Sequence, residues 1–87
     1  MYYVYVLRSI KDGSFYKGRT NDLSRRLLEH NRGETCSNRG KRPFQLIYVE
    51  LCDSLEEAKY LESYLKSGFG REIIKEIYAD VAEWYTR

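Results

Sequence analysis

The sequence lacks most of the features that would place it in several common classes of protein. It has one proline, one histidine and two cysteines among 87 residues. Two cysteines make a weak case for the disulfide framework of a small secreted domain, and no apolar run approaches the roughly 20 residues of a transmembrane helix. The chain begins directly with a strand-like run rather than a signal peptide. These features favour a cytoplasmic protein that does not enter the membrane.

The spacings of several well-known sites are also missing from the sequence. His30, Cys36 and Cys52 are not spaced as zinc-finger ligands are. No serine, histidine and aspartate pattern indicates a serine hydrolase, and the GKRP stretch at 40–43 does not match a phosphate-binding loop. The sequence therefore argues against these three kinds of chemistry.

What the sequence does have is an uneven distribution of charge. Residues 8–42 hold ten lysines and arginines against four acidic residues, whereas residues 43–87 hold five against nine. A basic half of this kind is what a phosphate-rich ligand would meet. A solvated surface with a dipolar bias is the alternative, and charge alone does not separate the two.

The pattern of apolar and turn-forming residues predicts the order β-β-α-β-α-α. Strands are rich in β-branched and aromatic residues, glycine and proline mark loops, and capping residues mark helix starts. The predicted elements are strands over 2–8, 14–19 and 44–52, a helix from Asn21 or Asp22 to about 31 ended by Gly33, a helix over 55–67 capped by Ser54 and Glu57, and a helix over 71–82 after a break at Gly68 and Gly70. Asp12-Gly13 supplies the first turn. The fold class is therefore α/β (α+β), with a small three-stranded, mainly antiparallel sheet flanked by helices in one domain, 1–87.

The first two strands bring two tyrosines together. Because side chains alternate along a strand, a hairpin would set Tyr5 and Tyr16 on one side of the sheet. An aromatic cross-strand pair that only stabilises the sheet is the simpler explanation, and the pattern alone favours it. The sharper alternative is a tyrosine pair that takes part in chemistry.

The predicted helices add three polar residues beside apolar stripes. Arg26 and His30 lie four residues apart, so they share a helix face and flank the buried stripe of that helix. A lone histidine is more often structural than catalytic. Glu62 falls at the edge of the apolar stripe of the second helix, where a carboxylate needs a partner. That partner is either a lysine or arginine, or a hard cation such as Mg²⁺ or Mn²⁺.

Taken together, these residues resemble the GIY-YIG nuclease family, and most of all its small, single-domain bacterial members. The family's motifs have counterparts, in order and at the family's spacing, in Tyr3-Val4-Tyr5, Tyr16-Lys17-Gly18 followed by Arg19, Arg26, His30, and Ala58-x-x-x-Glu62-x-x-x-Lys66. Two positions depart from the pattern: Tyr3 stands where the first motif has glycine, and Lys17 where the second has a small apolar residue. Each motif alone is loose, but the ordered set is specific and extends to about residue 75.

The resemblance implies a GIY-YIG endonuclease-like fold and a metal-dependent endonuclease that hydrolyses phosphodiester bonds in DNA, or in nucleic acid more broadly, with DNA repair or recombination as its setting. It also implies a role for each matched residue. Tyr16 would be the general base, Arg26 would hold the phosphate, Tyr5 and His30 would orient the reacting groups, and Glu62 would bind one Mg²⁺ or Mn²⁺. Lys17 and Arg19 are expected beside Tyr16, where they would favour its phenolate and contact nucleic acid.

The loop before the third strand is the other expected contact with nucleic acid. Arg39, Lys41 and Arg42 would follow its phosphate backbone, which positions a ligand without reading its sequence. Two alternatives remain open. One is a module of the same fold that binds nucleic acid with little or no catalysis, and the other is a structural domain whose partner binds the acidic half of the chain.

Overall fold

The computed structural model describes residues 1–33 and 40–85. The elements follow the predicted order, as β1 (Tyr2–Ser9), β2 (Phe15–Thr20), α1 (Leu23–Arg32), β3 (Phe44–Cys52), α2 (Leu55–Lys66) and α3 (Gly68–Tyr85). The sheet is antiparallel throughout, with strand order β2-β1-β3. This confirms the predicted fold class, while the assignment of the whole chain to one domain stays a prediction. None of the described helices combines the length and apolar character needed to cross a membrane.

The predicted turn fixes how β1 and β2 pair. Gly13 has a left-handed backbone (φ 77°), which glycine adopts without steric cost. Its N–H donates to the Ser9 carbonyl (2.9 Å), and the Ser9 N–H donates to the Ser14 carbonyl (2.8 Å). The Asp12 carboxylate accepts from both the hydroxyl and the N–H of Ser14, which lowers the pKa of Asp12 to about 2. The resulting register sets Tyr5 opposite Gly18.

Both faces of the central strand β1 are buried, so the sheet separates two cores. Val4 and Val6 pack with residues of α2 and α3 on one face, among them Ala58, Leu65 and Ile74. Tyr5 and Leu7 pack on the other face, with Phe44 of β3, Tyr16 of β2 and the α1 residues Leu23 and Leu27. The face covered by α1 is called the tyrosine face below, and the other is called the α2 face.

The predicted caps of the first two helices are present. The Asp22 carboxylate accepts from the Arg25 N–H at the start of α1, and Gly33 ends the helix with a left-handed φ of 77°. At the start of α2, the Ser54 hydroxyl accepts from the Glu57 N–H (3.2 Å). The Glu57 carboxylate in turn accepts from the Asp53 N–H, so the capping box reaches one residue further back than predicted.

The predicted break after the second helix is present, but the prediction that the third helix starts at about 71, after Gly68 and Gly70, is wrong. Helix α3 begins at Gly68, and Ser67 alone separates it from α2. Gly70 lies against the backbone of α2, because a Cβ there would be 2.5 Å from the Leu65 Cα and would overlap the Tyr64 carbonyl oxygen. The glycine therefore permits a close approach of two helices rather than ending one.

Candidate active site

A hydrogen bond between β1 and α1 forms the centre of the tyrosine face. The Tyr5 hydroxyl lies 3.0 Å from Nε2 of His30, and both residues are at most 1% exposed. The sequence placed His30 at the border of the apolar stripe of α1, whereas the structure buries it completely. Helix α1 and strand β1 thus bring two of the predicted residues into direct contact.

Tyr16 completes an aromatic cluster around the histidine. Its ring centroid lies 4.8 Å from that of His30 and 6.5 Å from that of Tyr5, and the Phe44 ring is 5.8 Å from His30. Tyr16 is half-buried. The structure therefore places the two hairpin tyrosines on one face, as predicted, with the imidazole against both rings.

Arg26 connects this cluster to solvent. Its Nη1 donates to Oε1 of Glu29 (3.2 Å), and its guanidinium interacts electrostatically with the Tyr5 hydroxyl. Arginine has only donors, so Arg26 can only donate to the Tyr5 oxygen, while the roles of Tyr5 and His30 in their bond depend on the histidine tautomer. Burial opposes the charge of Arg26, but the bonds to Tyr5 and Glu29 outweigh it and raise the pKa of Arg26.

Tyr5 is held in its neutral form. Burial raises its pKa above the ordinary value, and charge on Tyr16 raises it further, while the bond from Arg26 acts in the opposite direction. A buried phenol with a raised pKa is a poor general base but a good hydrogen-bonding group. The geometry thus suits Tyr5 to positioning rather than to proton abstraction.

Gly18 makes room for the Tyr5 hydroxyl. A Cβ built on Gly18 would lie 2.5 Å from the Tyr5 oxygen and 2.7 Å from the ring carbon that carries it. The φ of Gly18 is not in the left-handed region, so steric space and not backbone conformation requires glycine here. This explains why a glycine follows Tyr16 by two residues.

Glu62 lies on the α2 face and is already paired with two cations. Its Oε2 accepts from Nζ of Lys66 (2.9 Å), and its Oε1 accepts from Nη1 of Arg19. Burial would raise the pKa of Glu62, but the bonds from Lys66 and Arg19 outweigh burial and lower it. The sequence left two kinds of partner open for Glu62, a basic residue or a metal ion. The structure shows two basic residues, a lysine and an arginine.

The expectation that Lys17 and Arg19 stand beside Tyr16 is wrong. Arg19 pairs with Val4 and Lys17 with Val6, so both point to the α2 face, while Tyr16 and Gly18 point to the tyrosine face. The two faces are nonetheless within electrostatic reach at the outer edge of β2. The charge of Glu62 contributes to the raised pKa of Tyr5.

Whether a divalent cation fits this site depends on the ligands around Glu62. Mg²⁺ is commonly held by very few carboxylates and several waters, so a single glutamate fits it in ligand type. No group of three histidine, cysteine or acidic residues that could hold a metal ion occurs within residues 1–33 and 40–85. Both oxygens of Glu62 bond to cations of the chain, so a metal ion would share the carboxylate with Arg19 and Lys66 or displace one of them.

Of the predicted loop cations, Arg42 contacts the end of α1. Lys41 and Arg42 are exposed, and Nη1 of Arg42 donates to the Arg32 carbonyl (3.0 Å). The Ser9 hydroxyl donates to the Lys41 carbonyl (2.5 Å), which ties the segment to the hairpin. Arg39 lies outside the described residues. The described residues enclose no cavity, so a ligand would meet Lys41 and Arg42 on an open surface.

Two cationic residues of the α2 face were not predicted as functional. Lys66 pairs with Glu62, and this pair could have been predicted because the two residues lie four positions apart on one helix. Arg71 adds its charge to that of Lys66 near Lys17, and only the tertiary junction of α2 and α3 places it there.

Known proteins resemble this chain in sequence and in fold. The model of the GIY-YIG catalytic domain matches residues 1–75. A UPF0213 protein of Staphylococcus saprophyticus is 36% identical over 72 residues, which cover 82% of this chain and 85% of that protein. One from Clostridium perfringens is 42% identical over 67 residues, or 76% and 71% of the two chains. The solution NMR structure of a UPF0213 protein from Bacillus halodurans, 37% identical, superposes with a TM-score of 0.54 over 88% of this chain and 85% of that one.

Proposed function

This chain belongs to the GIY-YIG nuclease family, and on that premise we propose that it is a metal-dependent endonuclease that hydrolyses phosphodiester bonds in nucleic acid, chiefly DNA. The observation that carries the proposal is the meeting of Tyr5, Tyr16, Arg26 and His30 on one face of the sheet. Hydrolysis needs a base for water, stabilisation of charge on the phosphate, and help for the leaving oxygen. These residues offer groups for the first two needs.

Arg26 is the group that would bind the phosphate. Its bond to Glu29 and its electrostatic interaction with Tyr5 hold the side chain while leaving further N–H donors of the guanidinium available. A planar guanidinium can bind two phosphate oxygens at once, and a preorganised donor stabilises charge that develops there. Fixing Arg26 before substrate arrives therefore lowers the cost of orienting it during the reaction.

Tyr16 would remove the proton from the attacking water. Tyr5 is a poor candidate for that step because burial and neighbouring charge raise its pKa. The half-buried Tyr16 lies beside His30, whose ring Tyr5 holds through Nε2. Tyr5 and His30 would thus orient Tyr16 and the phosphate, while Tyr16 alone does the acid-base chemistry.

Glu62 would hold one divalent cation, Mg²⁺ or Mn²⁺, which supplies positive charge for the leaving oxygen when bound. Binding of that cation would compete with Arg19 for the Glu62 carboxylate and favour release of the guanidinium, since two positive charges repel each other there. The freed guanidinium would then be available to a phosphate. Arg39, Lys41 and Arg42 would hold the nucleic-acid backbone near the end of α1.

One observation favours a second function, a nucleic-acid-binding module without catalysis. Both oxygens of Glu62 are occupied by residues of the chain itself, which is a stable arrangement for a domain that takes up no metal. Such a module would bind nucleic acid with an affinity that falls with salt and would give no metal-dependent product.

Cleavage of a mixed panel of single-stranded, duplex, flap and branched DNA and RNA tests the proposal. Mg²⁺ or Mn²⁺ should support cleavage and EDTA should stop it. Tyr16→Phe and Glu62→Ala should each lower the rate by about 100-fold or more. Tyr60→Phe and Glu56→Ala are matched controls at exposed positions of α2 and should cleave as the natural sequence does. Cleavage by Tyr16→Phe at the natural rate would reject the proposed mechanism, and binding without any product would favour the second function.

The proposed setting is DNA repair or recombination in the cytoplasm. The free thiol of Cys52 is buried, and burial raises its pKa, which keeps it unreactive in a reducing compartment. Deletion of the gene should then increase sensitivity to DNA damage, and Tyr16→Phe should fail to restore resistance.

A further inference from the structure

We propose that Lys17, Lys66 and Arg71 form a second phosphate-binding site, on the α2 face, which holds the nucleic-acid backbone next to the phosphodiester that reacts on the tyrosine face. This inference rests on the proposed function and adds to it a second point of contact with the substrate. The three residues are called the α2 cationic cluster below.

The position of Lys17 follows from the alternation of β2. It pairs with Val6 and so points away from Tyr16, toward the helices of the α2 face. Arg19 points the same way two residues later and reaches Glu62. The half-buried Lys17 thus lies on the same edge strand as the candidate base and faces the opposite side of the sheet.

Lys66 and Arg71 reach this position through the tight junction of α2 and α3. Lys66 is the last residue of α2, and its Nζ contacts Glu62. Arg71 lies in the first turn of α3, where its N–H donates to the Ser67 carbonyl (2.9 Å). Gly70 lets α3 approach the α2 backbone closely, and the charges of Lys66 and Arg71 both act on Lys17.

The cluster has more positive charge than its surroundings neutralise. Among the side chains that the structure describes, Arg19 and Lys66 share the Glu62 carboxylate, and no carboxylate forms an ion pair with Lys17 or Arg71. Lys17 and Arg71 are left to repel Lys66 and each other; burial, followed by the charges of Arg71 and Lys66, lowers the pKa of Lys17. A half-buried cation among like charges destabilises the free protein, which is the pattern of a site preorganised for an anion.

The two sites suit one extended anion better than a small one. Arg26 lies on the tyrosine face and the α2 cationic cluster on the other, with the edge strand β2 between them. A nucleic-acid strand that crosses this edge would place one phosphate at Arg26 and neighbouring phosphates at the cluster. Backbone contacts of this kind position the ligand and do not read its sequence.

Binding measured in a Tyr16→Phe background tests the cluster separately from catalysis. Lys17→Gln and Arg71→Gln should each weaken oligonucleotide binding about fivefold near 100 mM salt and reduce the slope of log K against log salt by about 0.7 to 0.9. Lys11→Gln removes an exposed charge at the hairpin turn and should change neither quantity. Lys66 is left unchanged because it also pairs with Glu62. Slopes for Lys17→Gln and Arg71→Gln equal to that of Lys11→Gln would overturn the inference.

Two further measurements distinguish phosphate binding by the cluster from a structural role of its residues and from the proposed function. In the active protein the same substitutions should raise KM about fivefold and leave kcat within about twofold, since they touch the backbone beside the reacting phosphate. Thermal denaturation should show no loss of Tm for Lys17→Gln, because relief of like-charge repulsion offsets any lost contact. A lowered Tm together with unchanged binding would indicate that Lys17 has a structural role, and would reject the inference. If the natural sequence cleaves nothing, the proposed function fails, whereas the salt slopes still decide the cluster.

Discussion

The hydroxyl of Tyr5 occupies the space that any side chain on Gly18 would need. This is a contact between paired residues of neighbouring strands, and it joins the first sequence motif to the second. The small residue fixes how far the phenol can reach across β2, and so fixes the distance from that phenol to His30.

Gly18→Ala should therefore misplace the Tyr5 hydroxyl and weaken its bond to His30. We expect single-turnover cleavage to fall about 100-fold, because a small misplacement of this kind has a large effect on rate. Unfolding should become easier by about 1–3 kcal/mol, which is typical of overpacking. Gly40→Ala is the control, since a Cβ there meets nothing within 4 Å. Equal cleavage by the two variants would show that the contact is not needed.

The ion pairs of Glu62 should make stability depend on acidic pH. The folded pKa of Glu62 is lowered, so its stabilisation is fully present above the unfolded value near pH ~4.3 and is lost as the pH falls through the folded value. Glu62→Gln should be less stable by about 1 kcal/mol at neutral pH, since its partners are partly exposed. Denaturant unfolding of both proteins from about pH 7 to about pH 2.5 should show this difference shrinking below pH ~4.3. Asp12 is common to both proteins and cancels, and a difference that stays constant with pH would contradict the assignment.

Removal of Arg19 should strengthen the binding of a divalent cation at Glu62. In Arg19→Gln the competing guanidinium is gone, and we expect the affinity for Mn²⁺ to rise on the order of tenfold. Isothermal titration with Mn²⁺ in the Tyr16→Phe background measures this without any turnover. Arg25→Gln serves as control, because Arg25 lies on α1 and pairs with Asp22. Unchanged affinity in Arg19→Gln, or binding that survives Glu62→Ala, would place the metal elsewhere.

The two glycines at the α2–α3 junction should respond differently to alanine. Gly70→Ala drives a Cβ into the backbone of α2, and we expect a loss of about 3 kcal/mol in the free energy of unfolding. Gly68→Ala meets nothing within 4 Å and gains helix propensity, so it should leave stability unchanged or raise it by up to about 1 kcal/mol. Chemical denaturation of the two variants provides the comparison. Equal effects of the two substitutions would contradict the close contact assigned to Gly70.

The parts of the fold that local chemistry determines could be predicted from the sequence. The turn at Asp12 and Gly13, and the cap at Ser54, depend on residues a few positions apart. The start of α3 could not be predicted, because the reason for Gly70 lies in the neighbouring helix and not in its own segment.

In the site as well, the features that depend on local sequence could be predicted and those that depend on tertiary packing could not. The shared face of Tyr5 and Tyr16 follows from alternation, and so does the opposite face of Lys17 and Arg19, although adjacency in sequence suggested a single group. The full burial of His30 could not be predicted, because it depends on how α1 lies against the sheet. The bond from Arg19 to Glu62 joins residues 43 positions apart, and no local pattern encodes it.

Because side chains alternate along β2, the length of the hairpin turn determines which residues of β2 lie on each face of the sheet. A change of one residue in the length of the segment between Ser9 and Phe15 would shift β2 by one position against β1. Lys17 and Arg19 would then face His30, and Tyr16 would face the helix that carries Glu62. Insertions and deletions are usually tolerated in surface turns, but here a single one would exchange the positions of the acid-base and anion-binding groups without altering any of them.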